Sequence, residues 1–234
     1  VVAAAALVCA VTFTGAKPSV RSLTGEELAF FNTEFFNSET ADENGMANAN
    51  YHNQFLTCLY DSPQNLNLFD LFYNGIGTWE APSQAELEQL GVLAADGSQI
   101  CPTYKLTAAA MDAFLLENTG LTLAQTNKVD LDAFDYLPDY DAYYLTKGDT
   151  NYHSVTFTSG EREGSYIRLY WRDFYYGSET NECVTLLDRG DGQYWFVSHL
   201  LLDGDVPSAF AYPDGEPWMT LPLSGLTPYQ PQET

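Results

Sequence analysis

Nine Lys and Arg stand against 32 Asp and Glu in this 234-residue chain, giving a net charge of −23. Cations are scarce, so their positions are informative. Residues 22–104 contain none, while five of the nine fall within 147–189. In the stretch Ser165–Trp171 the alternation of a strand puts Ile167, Leu169 and Trp171 on one face, and Tyr166, Arg168, Tyr170 and Arg172 on the other. A guanidinium grips carboxylate or phosphate in a fork. Arg168, Tyr170 and Arg172 are therefore the expected ligand-binding surface, provided that acids on neighbouring strands do not neutralise the arginines. The turn Lys147-Gly148-Asp149-Thr150-Asn151 is the second candidate. Asp149 and Asn151 suit Asx-type turns, and at a sheet edge they become ligand contacts.

Other chemistry is missing from the sequence. There is no G-x-S-x-G elbow, no phosphate-binding G-x-x-x-x-G-K-[ST] loop and no H-E-x-x-H pair. Gly75-Ile76-Gly77 leads into Thr78-Trp79-Glu80, which is no dinucleotide fingerprint. His52, His153 and His199 each stand alone and read as structural. Without a C-x-x-C the chain holds no zinc ribbon or thioredoxin-type motif. Cys58, Cys101 and Cys183 allow one disulfide at most, with its pairing open, or serve as small buried apolar residues. Asp130, Asp132, Asp135, Asp139 and Asp141 invite a calcium reading, but an EF-hand loop needs an oxygen at position 5 and Gly at 6. Phe134 and Asp135 occupy those places, so a solvated acidic face is expected. No catalytic residue, metal or cofactor is expected.

The charge excludes a general nucleic-acid binder, which needs clustered Lys and Arg, and opposes adhesion to anionic lipid. Only 18% of residues are charged, whereas 45% are hydrophobic and 15% aromatic, enough to form a real core.

The apolar run VVAAAALVCAVTF (1–13) suits the core of a signal peptide and is short for a membrane span. Thr14-Gly15-Ala16 supplies small residues for cleavage. Cys9 follows Val8, where a lipoprotein signal would have a small residue. Residues 1–20 are thus expected to be a cleaved signal or an anchor, 21–212 a single domain, and 213–234 an irregular Pro-rich tail. Thr24, Glu27 and a Leu23–Leu28 staple predict a capped helix. Further helices are expected over about 65–73, after Ser83, and from Thr107 to Gly120. Strands are expected at 141–145, 154–158, 165–171, 183–187 and 194–202, with turns at SGEREG, GSETN and RGDG. This order predicts an α+β fold, N-terminal helices packed on a C-terminal antiparallel β-meander, with a nuclear-transport-factor-like cone as one form.

The stretches LTGEELAFFNTEFFN (23–37), NQFLTCLYDSPQNLNLFDLFYNG (53–75) and DYDAYYLTKGDTN (139–151) resemble uncharacterised exported or membrane-anchored domains of Gram-positive bacteria. The resemblance implies export and carries no catalytic residue. The expected function is a non-enzymatic extracytoplasmic binding or sensory domain, secreted or membrane-anchored. Its expected partner is a small molecule, glycan or protein, and it would meet the membrane only through its N-terminal segment. The alternatives are a secreted carbohydrate- or cell-wall-directed hydrolase using paired carboxylates and a cell-surface spacer.

Overall fold

The computed structural model describes residues 19–37, 40–41, 47–48, 50–77, 79–149, 155–175, 178–190 and 192–202. The N-terminal apolar run, Cys9, Asn151, His153 and the tail 213–234 lie outside them.

The strands are β1 (Val20–Ser22), β2 (Thr40–Ala41), β3 (Ala47–Asn48), β4 (Thr103–Thr107), β5 (Asp135–Leu137), β6 (Ala142–Thr146), β7 (Ser159–Glu163), β8 (Tyr166–Tyr175), β9 (Ser178–Gly190) and β10 (Gln193–Leu202). The α-helices are α1 (Gly25–Phe30), α2 (Leu68–Phe72), α3 (Gln84–Leu90) and α4 (Ala108–Thr119). β1-β7-β8-β9-β10 form one antiparallel sheet, β4-β6-β5 a second, and β2-β3 a short pair. The fold is α+β, as the sequence predicts.

The expected capping box closes the start of α1. Thr24 Oγ1 accepts from the Glu27 N–H at 3.2 Å, and Glu27 Oε2 accepts from the Thr24 N–H at 2.9 Å. The helix then widens into a π-helical turn, Phe31–Phe35, which buries Phe31 and Phe35. Ile167, Leu169, Trp171, Val184, Leu186 and Phe196 give the large sheet its apolar face, and with Phe31, Phe36, Phe55, Phe72 and Phe114 they form the main core. Phe55 stacks on Phe196 with ring centroids 3.9 Å apart. Thr107 caps α4, which ends at Gly120 with φ +74°. A side chain at Gly120 would meet the Trp195 ring at 2.6 Å, so glycine both turns the chain and admits the indole.

Four expectations need correction. SGEREG is strand β7, not a turn, and the described part of the expected 154–158 strand belongs to no sheet. The amides of two helix-end asparagines replace a neighbouring strand there. Asn32 Nδ2 donates to the Phe157 carbonyl at 2.9 Å and its Oδ1 accepts from the Phe157 N–H at 2.7 Å. Asn37 does the same for Val155, at 2.7 and 3.2 Å. Val155 and Phe157 are buried as strand residues would be. GSETN is likewise not a separate turn: residues 178–181 already belong to β9. The first half is also less helical than its pattern suggests, because Thr103–Thr107 is a strand paired with β6.

Glu86 joins α3 to the smaller sheet. Its carboxylate accepts from Lys105 Nζ at 2.7 Å, from the Tyr144 hydroxyl at 2.5 Å and from the Ser83 N–H at 2.6 Å. Burial would raise this carboxyl, but those donors outweigh it and hold it at about 2. A depressed carboxyl contributes stability above the usual carboxylate range, and that contribution disappears as pH falls toward about 2. Glu86→Gln should therefore cost about 1.5–3 kcal/mol at pH 7 and flatten the acid limb of a stability–pH curve. An unchanged acid limb would contradict this linkage.

Candidate functional site

Lys147 follows β6, fixed by its N–H to the Pro102 carbonyl at 3.0 Å. It is only 8% exposed. Its Nζ donates to Asn74 Oδ1 at 3.1 Å, and Asn74 Nδ2 donates in turn to Gln54 Oε1 at 3.0 Å. The ammonium lies 4.2 Å from the Tyr73 ring centre and 5.8 Å from that of Tyr104. Tyr104 packs against Trp79 with centroids 5.0 Å apart. Trp79 is seated on Gly75, where φ is +82° and an added Cβ would lie 2.6 Å from the indole. The Tyr73 hydroxyl donates to Asp149, which is exposed. Among the described residues no carboxylate comes within 4 Å of Lys147 Nζ. Burial pulls the lysine below its ordinary basicity, and the nearby charge of Asp149 opposes that only in part. Such a group can hold one anionic atom group: one N–H is on Asn74, and aromatic rings rather than acids surround the charge.

The predicted Asp149 thus sits in this cluster, and Asn151 lies outside the described residues. Arg168, Tyr170 and Arg172 are elsewhere, on the sheet face opposite the main core. Arg168 is fully buried, with Nη2 on Glu163 at 3.3 Å. The Tyr170 hydroxyl donates to Glu161 at 3.3 Å, and burial raises both the Tyr170 phenol and the Glu161 carboxyl. Arg172 is exposed, with Nε on Asn181 Oδ1 at 3.1 Å. Cross-strand acids therefore engage Arg168, the outcome that would weaken this surface as an anion site. Tyr73, Asn74, Gln54 and Tyr104 are the site residues that sequence reading missed. The KGDTN turn was the one signal pointing to them.

His199 is not the isolated side chain its sequence position suggests. A β-bulge between Phe196 and Ser198 shifts the phase of β10, so that Phe196 and His199 lie opposite Leu186 and Val184 and both face the core. His199 is 1% exposed and Glu182 2%. The ring stacks on Trp171 with centroids 5.1 Å apart. Nδ1 is 2.8 Å from the Cys58 carbonyl and Nε2 is 2.8 Å from Glu182 Oε2. A carbonyl only accepts, so Nδ1 carries a hydrogen. Nε2 and a bare carboxylate could not meet without a second hydrogen between them. The pair therefore holds a buried proton, and it ties residues 58–60 to β10, where Tyr60 and His199 also exchange two backbone bonds of 2.9 Å. Full burial makes the pair structural rather than catalytic.

Among the described residues, carboxylates that act on one another include Asp70 with Asp130 and Glu161 with Glu163. Burial, then the Asp130 charge, raises the Asp70 carboxyl, and Asn67 Nδ2 donates to Asp130 at 2.6 Å. Asn67 Oδ1 accepts from the Asp70 N–H at 3.1 Å as the N-cap of α2, so this arrangement opens a helix. Among the described residues no group of three His, Cys, Asp or Glu is placed to hold a metal, and no helix is long and apolar enough to cross a membrane.

No protein-family profile, curated protein or solved structure matches the chain.

Glu182→Ala should strand the buried imidazole and cost about 3–5 kcal/mol in urea unfolding. Glu182→Gln, whose amide can donate to Nε2 of a neutral ring, should cost clearly less. Equal losses would show that the pair holds no proton.

Proposed function

We propose that this chain is a non-enzymatic extracytoplasmic domain that binds a small anionic ligand at Lys147. One observation carries the reading. In a chain with 23 surplus acids, Lys147 is buried without a carboxylate within 4 Å among the described residues, with an amide oxygen and two aromatic rings around it. An exposed lysine would be solvated, and a purely structural buried one would be neutralised by an acid. The extracytoplasmic setting rests on the apolar run 1–13 and on the resemblance to exported domains.

Two outcomes test this. A panel of aliphatic, aromatic and sugar monocarboxylates at millimolar concentration should contain members that raise the melting temperature of the protein. Lys147→Met should abolish that rise; a rise that persists places the anion elsewhere. For the compartment, deleting residues 1–20 should retain the chain inside the cytosol of its native host, and continued export would contradict the targeting role.

A further inference from the structure

Resting on the reading of Lys147 as the binding group, the character of the ligand follows from what surrounds the ammonium. Asp149 is exposed and sits on the Tyr73 hydroxyl, at the far end of the ring whose face carries Lys147. A carboxylate has about four acceptor positions, and the one described donor to Asp149 is that hydroxyl. A phosphate or other dianion would meet the Asp149 charge as well as the field of a chain at −23. A bare apolar acid would satisfy Lys147 while desolvating Asp149 with nothing to donate to it, which costs free energy. A ligand with one negative charge and several hydroxyls fits both groups. The half-buried rings of Tyr73, Tyr104 and Trp79 add an apolar wall suited to the C–H face of a sugar ring.

We propose that the site takes a sugar acid with a single carboxylate, of the uronic-acid type. The carboxylate lies on Lys147, hydroxyls donate to Asp149, and the ring lies against Tyr104 and Trp79. Binding forms no covalent bond.

The test titrates the full chain with galacturonate, galactose, benzoate and inorganic phosphate, following binding by calorimetry. Galacturonate should bind, and galactose, which lacks the carboxylate, should bind at least about tenfold more weakly, the loss expected for one charge-assisted hydrogen bond. Asp149→Asn, which keeps Tyr73 a partner, should weaken galacturonate and leave benzoate unchanged or improved. The galacturonate–galactose comparison needs no variant, so it stands even where Lys147→Met fails to fold. Binding of benzoate or phosphate in preference to galacturonate, dependent on Lys147, overturns the sugar-acid class and leaves the anion site standing. Equal binding of galactose and galacturonate overturns the proposal. No binding of any anion overturns both.

Discussion

Cation scarcity governs this molecule. With so many carboxylates per base, any ammonium or guanidinium left within reach of an acid will be neutralised by one. Four described cations show this and are used to join elements. Arg21 grips Glu27 across the start of α1 at 2.8 and 2.6 Å, and Lys105 holds Glu86 under α3. Arg162 holds Asp188 at 2.7 Å from β7 to β9, and Arg168 holds Glu163 at 3.3 Å. Exposed Arg189 lies instead over the Trp195 ring, its guanidinium 3.7 Å from the ring centre, and exposed Arg172 bonds Asn181; Lys147 departs from the pattern while buried. Its backbone is held by the N–H bond to the Pro102 carbonyl, its head by Asn74 and two rings, and Asp149 accepts from the Tyr73 hydroxyl. One tyrosine offers its face to the cation and its hydroxyl to Asp149.

The fold supplies the parts from separate places. Gln54 comes from the 3-10 turn Tyr51–Leu56, Asn74 from just past α2, Tyr104 from β4 and Lys147 from the end of β6. The smaller sheet aligns Tyr104 opposite Leu145, so the register of β4 with β6 brings Tyr104 near Lys147. Phe55, next to Gln54, and Phe72, two residues before Asn74, are buried in the main core and fix the backbone from which those amides reach out. The site is therefore anchored to the same aromatic packing that closes the large sheet.

Local signals were legible in the sequence where one residue's chemistry determines the outcome. Thr24 with Glu27 and Ser83 with Glu86 predicted the starts of α1 and α3 from hydrogen-bonding groups three residues apart, and Thr107 and Gly120 marked the two ends of α4. The hydrophobic alternation of Ile167, Leu169 and Trp171 gave the core face of β8. What escaped depends on distant partners. Asn32 and Asn37 bond to Phe157 and Val155 over more than a hundred residues of sequence, so a strand-like pattern carries no strand. The bulge that turns His199 inward depends on pairing with β9, and alternation alone would have faced it the other way. Arg168 was visible as a scarce base, but its burial beside Glu161 and Glu163 follows from a β7 that reads locally as a turn. Lys147 stood in plain view inside KGDTN, yet no local feature announces that it is desolvated by Tyr73 and Asn74.

Packing leaves Lys147 Nζ with no carboxylate within 4 Å among the described residues, and on the proposed reading a ligand supplies its counter-ion. A crystal structure of the full chain grown in the presence of a sugar acid measures this directly. Density for a carboxylate is expected within hydrogen-bonding distance of Lys147 Nζ, with Asp149 still on Tyr73. A Lys147 side chain paired with Asp149 or another protein carboxylate, and no ligand beside it, would overturn the assignment of Lys147 as a ligand-binding group.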